Sequence, residues 1–179
     1  MEVKKSELMF DGKILKVYKD QVLLDNGMQV TREVVRHTGA AAVVPITDNG
    51  EVILVRQYRY AVGRDMLEIP AGLLEPGEDM KKCAARETEE ETGFKPLKIE
   101  HLFDFYSSPG YCAECVGIYA AKQLIPTQQH LDPDEDVEVT ILPLEEAVDK
   151  IRSGEIIDGK TIAALLAVCA KMLTTSEKE

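Results

Sequence analysis

The sequence predicts an α/β (α+β) fold, a β-sheet covered by helices with a small antiparallel β-unit at its N-terminus. Two patterns and one balance carry that expectation. Short strand-like runs recur and end at turn signals such as Asp25-Asn26-Gly27 and Thr47-Asp48-Asn49-Gly50. Helical spacing of apolar residues is confined to three segments, all beyond residue 77. Hydrophobic residues make up 45% of the chain against 30% charged, a globular balance, and 179 residues suit one domain or a domain with a small appendage. The expected division is an N-terminal β-unit over 1–39 and a main domain over 40–179.

Taken in order, Lys13–Leu24 and Met28–His37 flank the Asp25-Asn26-Gly27 turn as a hairpin. So small a β-unit is not stable alone and must pack on the main domain or on a second subunit. Ala40–Ile46 is a nearly continuous apolar run and predicts a buried strand. Glu51–Tyr58 returns as the next, with Arg56 and Arg59 near its end. Met66–Ile69 is a short strand stopped by Pro70. A loop at Glu75-Pro76-Gly77 leads to a helix over Glu78–Thr92, with Glu78 favourable at its N-terminus and Gly93 as a left-handed cap. Leu97–Tyr106, Cys115–Ala121 and Val137–Leu142 read as strands, separated by a loop at Ser107–Gly110 and a polar loop at Pro126–Asp136. Leu144, Ala147, Val148 and Ile151 form one face of a helix after Pro143. Asp158 or Thr161 caps a last helix ending near Leu173.

Composition excludes several functions. A net charge of −11 argues against a general nucleic-acid or anionic-membrane binder. No apolar run approaches the roughly 18–20 residues that span a bilayer. The N-terminus has no long apolar segment of the signal-peptide kind, so the cytoplasm is the expected compartment. Cysteines at 83, 112, 115 and 169 are too sparse for a disulfide framework. Cys112 and Cys115 have CxxC spacing, but no second pair completes a zinc set, so free thiols are expected.

Two motif matches fail on context. Gly154–Thr161 satisfies the phosphate-loop spacing but follows a helix, and Glu155 and Asp158 would repel the anion. Asp132, Asp134 and Asp136 resemble the start of a calcium loop, yet Val137 and Pro143 stand where Gly and Glu are required. The helix at 78–92 is different. Met80, Cys83, Ala84, Glu87 and Glu91 share one face at 100° per residue, a stripe that starts apolar and ends in carboxylates. Glu87, Glu89, Glu90 and Glu91 crowd the helix C-terminus, where the helix dipole and mutual repulsion disfavour them. A divalent cation would offset both effects, since carboxylate oxygens suit hard ions.

Gly72, Glu78, Arg86, Glu87, Glu90, Glu91, Gly93 and Phe94 stand at the spacing of the Nudix box, so the chain resembles the Nudix hydrolases. Thr88 replaces a larger aliphatic residue of the pattern. Pro109, sixteen residues after Gly93, and the flanking stretches resemble the ADP-ribose pyrophosphatase branch; the resemblance covers about residues 10–173. It implies the Nudix fold, with a mixed β-sheet sandwiched between helices. It also implies hydrolysis of the ADP-ribose pyrophosphate, or that of a related nucleoside diphosphate derivative, to AMP and ribose 5-phosphate. Glu87, Glu90, Glu91 and the carbonyl of Ala71 are implied ligands of two or three Mg²⁺ or Mn²⁺ ions. Gly72, Glu78, Arg86 and Gly93 are implied structural members. A base in the later acidic loop is implied, with Glu135 first and Glu138 in reserve. Arg56, Arg59, Pro109 and Glu114 are the candidate substrate contacts, and Ala113 departs from an aspartate common in the branch. The resemblance also implies a homodimer that uses the N-terminal strands. Another nucleoside diphosphate sugar, a dinucleoside polyphosphate, or a non-catalytic nucleotide sensor are the competing readings; such sensors often lose box glutamates, and all of them stand here.

Overall fold

A computed structural model describes residues 1–133 and 135–176, the last five by their backbone alone; Asp134 of the aspartate run lies outside the described residues. Contacts group the chain into two compact units, Met1–Gly39 with Tyr106–Val116, and Ala40–Phe105 with Gly117–Glu179.

The first unit is a three-stranded antiparallel sheet of β1 (Glu2–Asp11), β2 (Leu15–Leu23) and β3 (Gln29–His37), in that order. The Asp25-Asn26-Gly27 turn closes the β2–β3 hairpin: Gly27 N–H donates to Leu24 O and Met28 N–H to Asn26 Oδ1. Register runs from Leu15↔His37 to Leu23↔Gln29. Asp20 is buried and satisfied by Ser6 Oγ and Arg36 Nη2, and the Arg36 guanidinium lies 3.8 Å from the Tyr18 ring centroid. The loop at 106–116 joins this sheet: Val35 N–H donates to Tyr111 O and Ala113 N–H to Val35 O. All ten residues of β1 are exposed, including Val3, Leu8, Met9 and Phe10. That strand lay outside the hairpin expected from the sequence.

The second unit holds two sheets. One orders β10 (Glu138–Pro143), β5 (Glu51–Arg59) and β6 (Arg64–Glu68); the other orders β7 (Ala71–Leu73), β4 (Ala40–Pro45), β9 (Cys115–Pro126) and β8 (Phe94–Tyr106). Three helices accompany them, α1 (Met80–Thr92), α2 (Leu144–Arg152) and α3 (Gly159–Ser176). β4 is buried along its whole length, as its apolar run predicts. Cys83 and Ala84 of α1 enter the core with Ala41, Val43, Tyr119 and Ala121, and Met80 packs against them.

Two boundaries differ from expectation. α1 begins at Met80 with Asp79 as its cap, because the Asp79 carboxylate accepts the Lys82 N–H; Glu78 lies ahead of the helix and serves Arg86 instead. Ala71–Leu73, assigned to no element from the sequence, is a short strand antiparallel to β4. A three-residue strand has too little pattern to be seen without its partner. Asp158 is the cap of α3, accepting from both the N–H and the hydroxyl of Thr161. All four cysteines are free thiols, and among the described residues no helix is long and apolar enough to cross a membrane.

Candidate active site

α1 sets the site because its two ends are held. Gly93, at φ 72°, adopts the left-handed conformation that ends a helix cheaply only for glycine, and its N–H donates to Glu89 O. The last carbonyls of a helix have no partner within it. Here the segment after β9 supplies them: Thr127 N–H donates to Gly93 O, His130 N–H to Glu90 O and Gln129 Nε2 to Glu91 O at 2.6 Å. Gln129 Nε2 also reaches Val137 O at 3.3 Å. The acidic loop is thereby tied to the C-terminal turn of the glutamate helix.

Glu87 and Glu91 are 8% and 2% exposed. Gly72 stands against Glu87 so closely that a Cβ would overlap the carboxylate, which accounts for glycine at this position. Ala71 N–H donates to Glu91 Oε2 at 3.2 Å, so the start of β7 meets the second carboxylate. Burial pushes the Glu87 carboxyl up to about 7, against the pull of Arg86. Burial and then the neighbouring Glu87 push Glu91 up to about 8, and the charge of Glu135 raises both. Two carboxylates are thus held where ionisation is unfavourable, the condition a divalent cation relieves.

Arg86 organises the rest of the box. Nε and Nη2 grip Glu78 at 3.0 and 2.9 Å, Nη1 donates to Glu87 Oε1 at 2.6 Å and Glu90 Oε2 at 2.9 Å, and Nη2 also reaches Leu73 O. The hydrogen bonds from Arg86 hold the Glu78 carboxyl below the usual range. Among the described residues no three His, Cys, Asp or Glu side chains already converge as a metal cage. The donor set is nonetheless all oxygen and anionic, as Mg²⁺ or Mn²⁺ requires. Thr88, the departure from the motif, is fully buried and donates to Ala84 O at 2.6 Å. Burial pushes the Cys83 thiol up to about 12, leaving it unreactive.

The remaining candidates fall in different places. Glu135 is exposed; its carboxylate accepts the Asp132 N–H and its N–H donates to Asp132 O. Glu138 is paired in register with Arg56 across β10 and β5, while the Arg56 side chain is within 3.4 Å of Glu155. Arg59 grips Glu68 through Nε at 2.7 Å and Nη2 at 2.8 Å. Pro109 and Glu114 belong to the first unit. Pro109 lines a cavity of about 140 Å³ with Val34 and residues 110–113; Glu114 accepts the Ser107 hydroxyl at 2.8 Å and faces His37 Nε2 at 3.8 Å.

Sequence reasoning missed Glu68. It is 1% exposed and accepts from Arg59 and Lys160; burial alone would raise its carboxyl, but these cations bring it down to about 2. A lone glutamate between Leu67 and Ile69, in an otherwise apolar strand end, was the available signal.

Known proteins resemble this chain in sequence and in fold. The NUDIX domain model matches residues 36–165. An ADP-ribose pyrophosphatase of Bacillus subtilis is 40% identical over 174 residues, covering 96% of this chain and 94% of that protein. A methanol dehydrogenase activator of Bacillus methanolicus is 42% identical over 163 residues, covering 90% and 88%. The crystal structure of an ADP compounds hydrolase superposes with a TM-score of 0.87 at 25% identity, over 97% of this chain and 95% of that one. A family match over most of the chain, centred on a glutamate helix of the expected spacing, makes this protein a member of the Nudix hydrolase family.

Proposed function

We propose that the chain hydrolyses the pyrophosphate of ADP-ribose, or of a closely related nucleoside diphosphate derivative, to AMP and ribose 5-phosphate. The observation that carries this reading is the buried Glu87–Glu91 pair beside Glu90, packed against the Ala71–Gly72 backbone. The relatives' activities support the substrate class. Glu87, Glu90, Glu91 and the Ala71 carbonyl are the groups that would hold two or three Mg²⁺ or Mn²⁺ ions, which when bound neutralise the diphosphate and make water a better nucleophile.

The chain's own groups do the rest. Water attacks one phosphorus, the bond to the bridging oxygen breaks, and the water proton passes to a carboxylate. Glu135 is that base, because the Gln129 tether keeps its loop by α1 and its charge is felt at both Glu87 and Glu91. Glu138, on the adjoining strand, is the reserve. Arg59 and Arg56 meet phosphate or ribose through charge-assisted hydrogen bonds. Pro109 and Glu114 are assigned to substrate recognition on the first unit. Arg86, with Glu78 and Gly72, keeps the box in shape. The exposed apolar residues of β1 favour a homodimer, and light scattering giving a monomer would refute it.

Incubation with ADP-ribose and Mg²⁺, followed by product separation, tests the reading. Equal amounts of AMP and ribose 5-phosphate are expected. Preferential cleavage of another nucleoside diphosphate sugar moves the substrate, and tight binding without cleavage turns the enzyme into a sensor.

A further inference from the structure

Lys160, the lysine of the failed phosphate-loop pattern, has a place in the fold. It stands in the first turn of α3, and its Nζ donates to Glu68 Oε2 and, at 3.0 Å, to Asp158 Oδ2. Glu68 in turn holds Arg59 at both carboxylate oxygens. Arg59, Glu68, Lys160 and Asp158 therefore form a continuous array of two cations and two carboxylates with no net charge. It starts at the end of β5, crosses β6 and finishes at the cap of α3.

Such an array is a poor way merely to fasten a helix to a strand. Buried ion pairs are often no more stabilising than apolar side chains of similar volume, because desolvation opposes the attraction. What the array does accomplish is local. Nε and Nη2 of Arg59 are committed to Glu68, and among the described residues Nη1 carries no hydrogen bond. The same turn of α3 pins the strand that leads into the box. Thr161 Oγ1 accepts the Ile69 N–H at 2.9 Å, and two residues later the Ala71 N–H meets Glu91. The charge of Arg59 is felt at Glu91, so the guanidinium stands within electrostatic range of the glutamate helix.

We propose that Lys160 and Asp158 are positioning residues for Arg59, sharing Glu68 so that Arg59 meets the substrate diphosphate in a fixed orientation with part of its positive charge unspent. Without Lys160, the whole charge of Glu68 falls on Arg59 and Asp158 adds an uncompensated anion, so an anionic substrate meets a net negative group. This rests on the reading that a diphosphate occupies the site with Arg59 as a contact, and it adds the α3 residues that tune that contact.

Steady-state kinetics on ADP-ribose with Mg²⁺, separating KM from kcat, tests it. Lys160→Met is expected to raise KM about tenfold while kcat stays within about threefold. Adding Asp158→Asn restores the charge balance, and asparagine still caps the helix; KM should return to within about threefold of the parent. A KM that Lys160→Met leaves unmoved, a loss confined to kcat, or no rescue by the second substitution overturns the proposal. Should Lys160→Met fail to fold, Asp158→Asn alone decides. It leaves the array with one excess positive charge and should lower KM; an unchanged or raised KM overturns the proposal. Parent protein that leaves ADP-ribose intact refutes the substrate reading instead, whereas active parent protein indifferent to Lys160 refutes only the role of α3.

Discussion

A carboxylate buried beside another carboxylate is unstable unless something compensates the charge, and Glu91 is the sharpest case in this chain. Glu91→Gln should therefore abolish hydrolysis while leaving the metal-free protein folded, with a Tm at pH 8 equal to or above that of the parent. Near-normal activity would remove Glu91 from the proposed metal ligands. Glu135 is a different kind of residue, exposed and, among the described residues, hydrogen-bonded to Asp132 of its own loop. Glu135→Gln should lower kcat by about 10²–10⁴ with metal binding retained. If Glu138→Gln has the larger effect, the base lies on β10. The spacing of the three box glutamates was legible because a helix repeats its faces at fixed intervals in sequence. The partnership of Arg59, Glu68 and Lys160 was not, because it joins residues 92 positions apart through a contact that no local pattern encodes.

At the level of the element, α1 shows what pattern reading captures. Its end at Gly93 follows from the one residue that adopts the left-handed conformation without strain. Its start was misplaced by the choice of Glu78, a favourable anion, over Asp79, whose shorter side chain is the one that reaches the Lys82 N–H. Gly93→Ala should destabilise the protein by about 1–2 kcal/mol, since the added Cβ meets both an unfavourable φ and the Gln129 backbone at 3.2 Å. Urea denaturation measures this, and an unchanged midpoint would mean that the helix tolerates another ending. Because Gln129 bonds the carbonyl of Glu91, the same variant should also lose kcat. β7 escaped notice for a reason of the same kind. Ala71–Leu73 becomes a strand only through pairing with Ala40–Ala42, and Gly72 has no side chain to mark it.

For the whole molecule, opposite shifts of buried carboxylates set the stability profile. Glu87 and Glu91 titrate higher folded than unfolded, near 7 and 8 against 4.5. Their contribution is complete below the unfolded value and is lost as pH rises through the folded ones. Glu68 is the reverse case, lowered to about 2, so its contribution is present above 4.5 and is lost as pH falls towards 2. Metal-free protein in chelator should thus melt highest at about pH 4.5, where both contributions are complete, and lower on both sides. Mg²⁺ added at pH 8 should raise Tm, because an ion that binds only the folded site stabilises it by mass action. A metal-free Tm that climbs steadily to pH 8 would contradict the assigned environments of Glu87 and Glu91.

The sequence alone determined the family, the order of most strands and helices, and the helix on which the acidic ligands stand. All of these depend on local periodicity, turn chemistry and fixed spacing within a few helical turns. Only the tertiary structure decided that Gly72 lies against Glu87, that Gln129 fastens the acidic loop to α1, and that Lys160 serves Glu68. Those contacts form between segments far apart in the chain, where burial removes water and leaves each charge or carbonyl to find its partner within the protein.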